Sequence, residues 1–153
     1  MKIAHVALIS SFLVGCAQGR LDVIDTNGKV IGECSAAFAW HWYGAKDSVN
    51  YILNLCAQEQ IVKGYTISDK TVLVNDYTLP VPPKGSVWNK ITAKAQFKTG
   101  NISEQQYGYI LAAIEYEYIL KVEQAENDLA RALISKKDFE QAIEKAKLEF
   151  NGT

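Results

Sequence analysis

Leu21-Asp-Val-Ile-Asp25-Thr26-Asn27-Gly28-Lys29-Val-Ile-Gly-Glu-Cys34 is the stretch that sets the architecture. Two short runs with β-branched residues flank Thr26-Asn27-Gly28, and Asn and Gly tolerate the positive φ that a tight reversal needs. The stretch predicts a β-hairpin with arms at 21–25 and 29–34. Ala36 to Tyr43 then reads as a third strand. There Phe38, Trp40 and Trp42 alternate onto one face, and Ala37, Ala39, His41 and Tyr43 onto the other. Gly44 breaks the strand. A helix is expected from Lys46 or Asp47 to Lys63, with Gly64 as its C-terminal cap. Val49, Ile52, Leu53, Cys56 and Gln60 share one of its faces.

Residues 65–79 are ambiguous: Thr71-Val-Leu-Val is strand-like, whereas Asn75-Asp76 is turn-like. Leu79-Pro80-Val81-Pro82-Pro83-Lys84-Gly85 forms no regular element, because proline lacks the amide donor and fixes φ. It reads as a stiff, extended linker. Beyond it the pattern is helical. Ser86 can cap a helix running to about Thr99, with Trp88, Ile91 and Ala95 on one face, and Gly100 ends it. Ser103 and Gln106 form a capping box that opens a helix to about Ala132. Its apolar positions are Tyr107, Leu111, Ile114, Tyr118, Val122, Ala125 and Leu129. A last helix follows Ser135, with Phe139, Ile143, Ala146 and Phe150 as its apolar positions. The expected fold class is α+β, with a small antiparallel sheet of about three strands packed on a helix, then a C-terminal helical hairpin region. In these terms the chain divides into a head at 16–79, a proline-rich linker at 80–85 and a helical region at 86–153.

The helical region contains an internal repeat. Phe97-Lys-Thr-Gly-Asn-Ile-Ser-Glu-Gln-Gln-Tyr107 matches Leu129-Ala-Arg-Ala-Leu-Ile-Ser-Lys-Lys-Asp-Phe139 at an offset of 32 positions. Each copy is a helix end, a brief turn with an isoleucine, and a serine that caps the next helix. Both copies resemble the short helical hairpins of SHOCT-type domains, which carry a similar small-x-Ile-Ser-x-x-x-Phe pattern, although Ala132 stands where the pattern has glycine. The resemblance implies oligomerisation or docking.

Composition bounds the function. The chain has 153 residues, 48% hydrophobic and 22% charged, with a formal charge of −1. It is too apolar to be disordered and not basic enough for a nucleic-acid binder. Met1-Lys2 supplies a positive start, and Ile3 to Gly15 is an apolar run too short to span a bilayer. It ends in Leu13-Val14-Gly15-Cys16, which resembles the lipobox of bacterial lipoproteins. The resemblance implies cleavage of a signal peptide at 1–15, diacylglycerylation of Cys16 and insertion of its acyl chains into the bilayer. Ala17, where aspartate would resemble an inner-membrane retention signal, favours the outer membrane, facing the periplasm, in a Gram-negative cell. Gln18–Arg20 reads as a very short tether.

For an exported chain, the two remaining cysteines, Cys34 and Cys56, read as one disulfide, with two buried free thiols as the alternative. Catalytic chemistry is thin. His41 is the one histidine left after cleavage, with no Gly-x-Ser-x-Gly elbow, metal-ligand spacing or phosphate-cradling loop to accompany it. No catalytic residue, metal site or cofactor is expected. Aromatic residues are in surplus. Phe38, Trp40 and Trp42 form either a core stripe or a binding face for a glycan or hydrophobic ligand. Tyr109 and Tyr116 share a second apolar face of the long helix with Ala112, Ala113 and Leu120, and pack either inside the chain or on a partner. Residues 16–103 hold 9 basic and 7 acidic groups, and 104–153 hold 6 and 10, so the helical arm is acidic. The leading expectation is a non-enzymatic, membrane-anchored envelope lipoprotein. It would dock another envelope protein or a second copy through its helical hairpin. The alternative is a periplasmic ligand-binding module.

Overall fold

A computed structural model describes residues 17–38 and 44–153. Along the chain run β1 (Ala17–Ile24), β2 (Val30–Phe38), α1 (Ala45–Val62), β3 (Thr66–Ile67), α2 (Lys90–Lys98), α3 (Glu104–Ala130) and α4 (Lys136–Asn151). A 3₁₀ turn, Lys70–Leu73, lies between β3 and α2. The fold is α+β, as the sequence predicts: an antiparallel sheet in the order β2-β1-β3, packed on a helix and followed by helices.

The hairpin turns where its residues allow it. The Asp25 carboxylate accepts from the amides of Asn27 at 2.8 Å and Lys29 at 2.9 Å, and Gly28 takes a φ of 80°. β1 and β2 pair from Ala17↔Phe38 to Ile24↔Val30. Leu21, Val23, Cys34 and Phe38 point inward and meet Val49, Leu53 and Ala57 of α1. The outward face carries Arg20, paired with Asp22 at 3.2 Å and Glu33 at 3.0 Å. These pairs are exposed, so each contributes about 0–1 kcal/mol. α1 ends as expected. Gly64, at φ 87°, donates to the Ile61 carbonyl and Tyr65 to that of Gln60, the two bonds of a Schellman motif.

Several local expectations are corrected. β1 starts at Ala17, so Gln18–Arg20 is strand and not tether. Ala36–Phe38 continue β2 instead of opening a third strand, and 39–43 lie outside the described residues. The third strand is β3, which pairs through Val23↔Ile67 and Ile24↔Thr66. Thr71-Val-Leu-Val lies mainly in the 3₁₀ turn, because the Asp69 side chain accepts from the Thr71 amide and Val72 is drawn into the head core. The Val72 carbonyl accepts from buried Asn54 at 2.9 Å. Ser86 does not cap α2. Its hydroxyl donates to the Pro83 carbonyl at 2.7 Å, and Asn89 caps the helix by accepting from Thr92. Starting at Lys90, α2 buries Ala93 and packs Phe97 on α3, leaving Ile91 and Ala95 exposed. The linker is pinned, since Trp88 Nε1 donates to the Pro80 carbonyl at 2.7 Å.

The helical region packs directly on the head. Gly44, at φ 68°, caps α1 and meets Gly108 of α3 backbone to backbone. A Cβ on Gly108 would lie 2.5 Å from the Gly44 carbonyl oxygen. Around this contact, Ser48 Oγ donates to the Gly108 carbonyl at 2.8 Å and the Gly44 amide donates to Glu104 at 3.2 Å. Ala112 of α3 belongs to the head's core cluster, while Ile110, Leu111 and Ile114 form a second cluster with Ala93 of α2 and Ile102. The prolines thus mark a change in composition, while packing runs across them.

The internal repeat is a repeat of backbone geometry. After α2, the amides of Thr99, Gly100 and Asn101 donate to Ala95, Phe97 and Gln96. After α3, those of Arg131, Ala132 and Leu133 donate to Asn127, Leu129 and Asp128, the same bonds 32 positions on. Both next helices open with a capping box, Ser103–Gln106 and Ser135–Asp138. Gly100 and Ala132 hold φ 72° and 56°, so Ala132 is a left-handed alanine.

Two stability changes of opposite sign are expected. Gly108→Ala forces a methyl group into backbone and should cost at least about 1–3 kcal/mol. Gly32→Ala, whose Cβ meets nothing within 4 Å, is the mild control. Ala132→Gly removes a left-handed penalty of about 1–2 kcal/mol, partly offset by the freer unfolded chain, for a net gain of about 0.5–1 kcal/mol. Urea unfolding midpoints check all three.

Candidate functional site

The second apolar face of α3 is divided along its length. Tyr109 is 3% exposed and belongs to the chain's own core. Its ring centroid lies 5.8 Å from that of Tyr51 on α1 and 5.1 Å from that of Tyr77. Tyr51 and Tyr77 meet edge-on at 6.3 Å. Burial raises the pKa of Tyr51 and Tyr109, and for Tyr109 the charges of Tyr77 and Asp47 add to the effect. Tyr109 is therefore withdrawn as a surface anchor, because α1 covers it. Tyr116, seven residues on, is 39% exposed and stands with exposed Ile119 and Leu120.

The other candidates separate as follows. Phe38 is 8% exposed within the head core, which removes it from any ligand-binding sheet face. Trp40, His41, Trp42 and Cys16 lie outside the described residues. Cys34 and Cys56 are bonded to each other, with Cα atoms 5.8 Å apart, and join β2 to α1. On the chain-entropy estimate, closing this loop contributes about 3 kcal/mol. Among the described residues there is no group of three or more His, Cys, Asp or Glu that could hold a metal ion, and no helix long and apolar enough to cross a membrane.

What sequence reading missed is a groove along the seam between α3 and α4. Its first stretch is a cavity of about 490 Å³ walled by Leu79, Trp88, Ile114, Tyr118 and Phe150. Tyr118 and Phe150 stack with centroids 4.9 Å apart, and Lys90 Nζ sits 4.0 Å from the Phe150 ring centre. The second stretch, about 660 Å³, has Leu120, Ala125, Ile134, Ala142 and Ala146 among its lining residues. Glu117, Lys121, Ala146 and Glu149 line both stretches, so they are successive parts of one groove. Lys121 Nζ reaches Glu117 and Glu149 at 2.7 Å each. These hydrogen bonds raise the lysine pKa and hold the Glu149 carboxyl below its usual range. The lips of the second stretch carry four carboxylates, Glu117, Asp128, Asp138 and Glu149, against the two ammonium groups of Lys121 and Lys145. The one sequence signal was the smallness of Ala125, Ala142 and Ala146. Short side chains on facing helices leave the seam open. An apolar floor with charged lips suits binding.

A scan against family models and searches of curated proteins and of solved structures found no match to this chain.

The phenols of half-buried Tyr51 and buried Tyr109 set an alkaline limit on stability. Unfolded tyrosine ionises near pH 10, and Tyr51 and Tyr109 ionise higher when folded. The stability gained by keeping them neutral is complete below about pH 10 and is lost as pH rises through the folded values. Urea midpoints at pH 8, 10 and 11 should fall progressively. Tyr109→Phe should fall less steeply over the same interval.

Proposed function

We propose that this chain is a lipid-anchored protein of the bacterial envelope that docks a partner protein in the α3–α4 groove. The anchor rests on the lipobox-like Leu13-Val14-Gly15-Cys16. Docking rests on one observation, the groove itself, whose floor is apolar and whose lips are net acidic. Leu120, 45% exposed, adds apolar surface to its lining. Charge complementarity selects the occupant: a helical segment with an apolar ridge flanked by lysine or arginine. A bulky residue of that segment would fill the Trp88–Phe150 end. The part of the chain that binds is then the helical arm and not the sheet face.

The test uses the purified protein and two designed amphipathic helices of Leu with either Lys or Glu. The Lys peptide should bind, and more weakly as salt is added. The Glu peptide should not. Ala142→Arg, which fills the groove from an exposed position, should abolish binding while leaving helicity and the unfolding midpoint nearly unchanged. Equal binding of both peptides, or undiminished binding to Ala142→Arg, overturns the docking reading. So does concentration-dependent self-association blocked by the same substitution, which would give the groove to a second copy.

A further inference from the structure

The start of β1 fixes more than the sheet. Its first residue, Ala17, immediately follows Cys16 and already pairs with Phe38. Gln18 pairs with Ala37 and Gly19 with Ala36. At Gly19 the strand is pressed against α1 so closely that a Cβ would lie 2.6 Å from Val49 and 2.8 Å from Leu53. Leu21 and Val23 are buried beyond it. Consecutive Cα atoms are about 3.8 Å apart. An acyl chain on Cys16 would thus attach one residue from a strand that is paired on its β2 side and packed on a helix. A free linker would add a reach of about 5–6 Å times the square root of its length, and here there is none.

We propose that the open end of the β1–β2 hairpin rests on the lipid surface, so that the head stands on the bilayer with its Asp25–Lys29 turn pointing away. This rests on the lipid-anchor reading above. Eight strand residues at about 3.3 Å each hold the turn about 26 Å from the anchor. α1 runs alongside β1 in the same direction. Its early residues Val49 and Leu53 meet Gly19, its Cys56 is bonded to Cys34 opposite Leu21, and the chain that leaves it reaches Thr66 opposite Ile24. The first turn of α1, with exposed Lys46, therefore sits at the lipid end. So does the Gly44–Gly108 contact, where α3 joins the head. The bilayer thereby fixes the level at which α3 crosses the head.

The experiment uses the full acylated chain in phosphatidylcholine vesicles that contain a lipid-borne fluorescence quencher. A fluorophore is placed on Lys46→Cys at the lipid end or on Asn27→Cys at the turn. The label on the first should be quenched several-fold more than the label on the second. Ten Gly/Ser residues inserted between Cys16 and Ala17 should erase the difference. Equal quenching without the insert, stronger quenching at position 27, or a difference that survives the insert each overturn the upright head. Flotation with the vesicles reads the anchor separately. If wild type floats no better than Cys16→Ser, the lipid-anchor reading fails, and the orientation fails with it.

Discussion

The structure depends on a contact with no side chain on either side, that between Gly44 and Gly108. With about 2.5 Å between the Gly44 oxygen and the place a Cβ would occupy on Gly108, only two glycines permit the approach. Such closeness buries backbone polar groups, and each is satisfied. Ser48, fully buried, donates to the Gly108 carbonyl, and Glu104 accepts from the Gly44 amide. Left unpaired, each group would cost about 1–3 kcal/mol, so the serine and glutamate are part of the same device. The next turn of α3 then falls into place, with Tyr109 between Tyr51 and Tyr77 and Ala112 inside the head core.

Local chemistry was legible in the sequence; the pairing of distant parts was not. Gly28, Gly64, Gly100, Ser103 and Ser135 each act on neighbours within a few residues, and each does in the structure what its chemistry predicts, whereas Asn27 turns without the positive φ it could tolerate. Strand β3 is only two residues long and exists because β1 offers it an edge, which no window around Thr66 could show. Thr71-Val-Leu-Val has strand composition, yet the Asp69 cap and the need to bury Val72 win over propensity. Gly44 caps α1, and nothing near it in sequence marks it as the partner of a glycine 64 positions away. For the same reason Tyr109 and Tyr116, alike in the helical pattern, part company: one lies under α1 and the other does not. The groove escaped notice because it is made by what Ala125, Ala142 and Ala146 lack.

The repeat shows how one backbone solution recurs with different residues. Glycine and alanine fill the same left-handed position, and glutamine and aspartate the same capping position. The two hairpins share α3 but differ in how much they bury. The α2–α3 hairpin closes over Ile102, Ile110 and Leu111 and stacks Phe97 on Tyr107 at 4.7 Å. The α3–α4 hairpin buries only Ala125 and Ala146 along its seam beyond Ile114. Exposed ion pairs contribute little there, even the well-formed ones of Lys121.

That difference bears on the docking proposed above. A helix pair that already buried large residues along its seam would have no apolar surface left to offer. Leaving alanines there costs the isolated chain packing energy but leaves room for side chains supplied from outside. At about 25 cal/mol per Å² of apolar area, one leucine-sized side chain placed in such a slot contributes about 1.5–3 kcal/mol. The acidic lips cannot add comparable affinity in water, but they favour basic partners and speed their approach. The head is held by a disulfide, and a close-packed backbone crossing fixes α3 upon it. Rigidity at one end and an unfilled seam at the other are the two structural conditions on which the proposed docking reading rests.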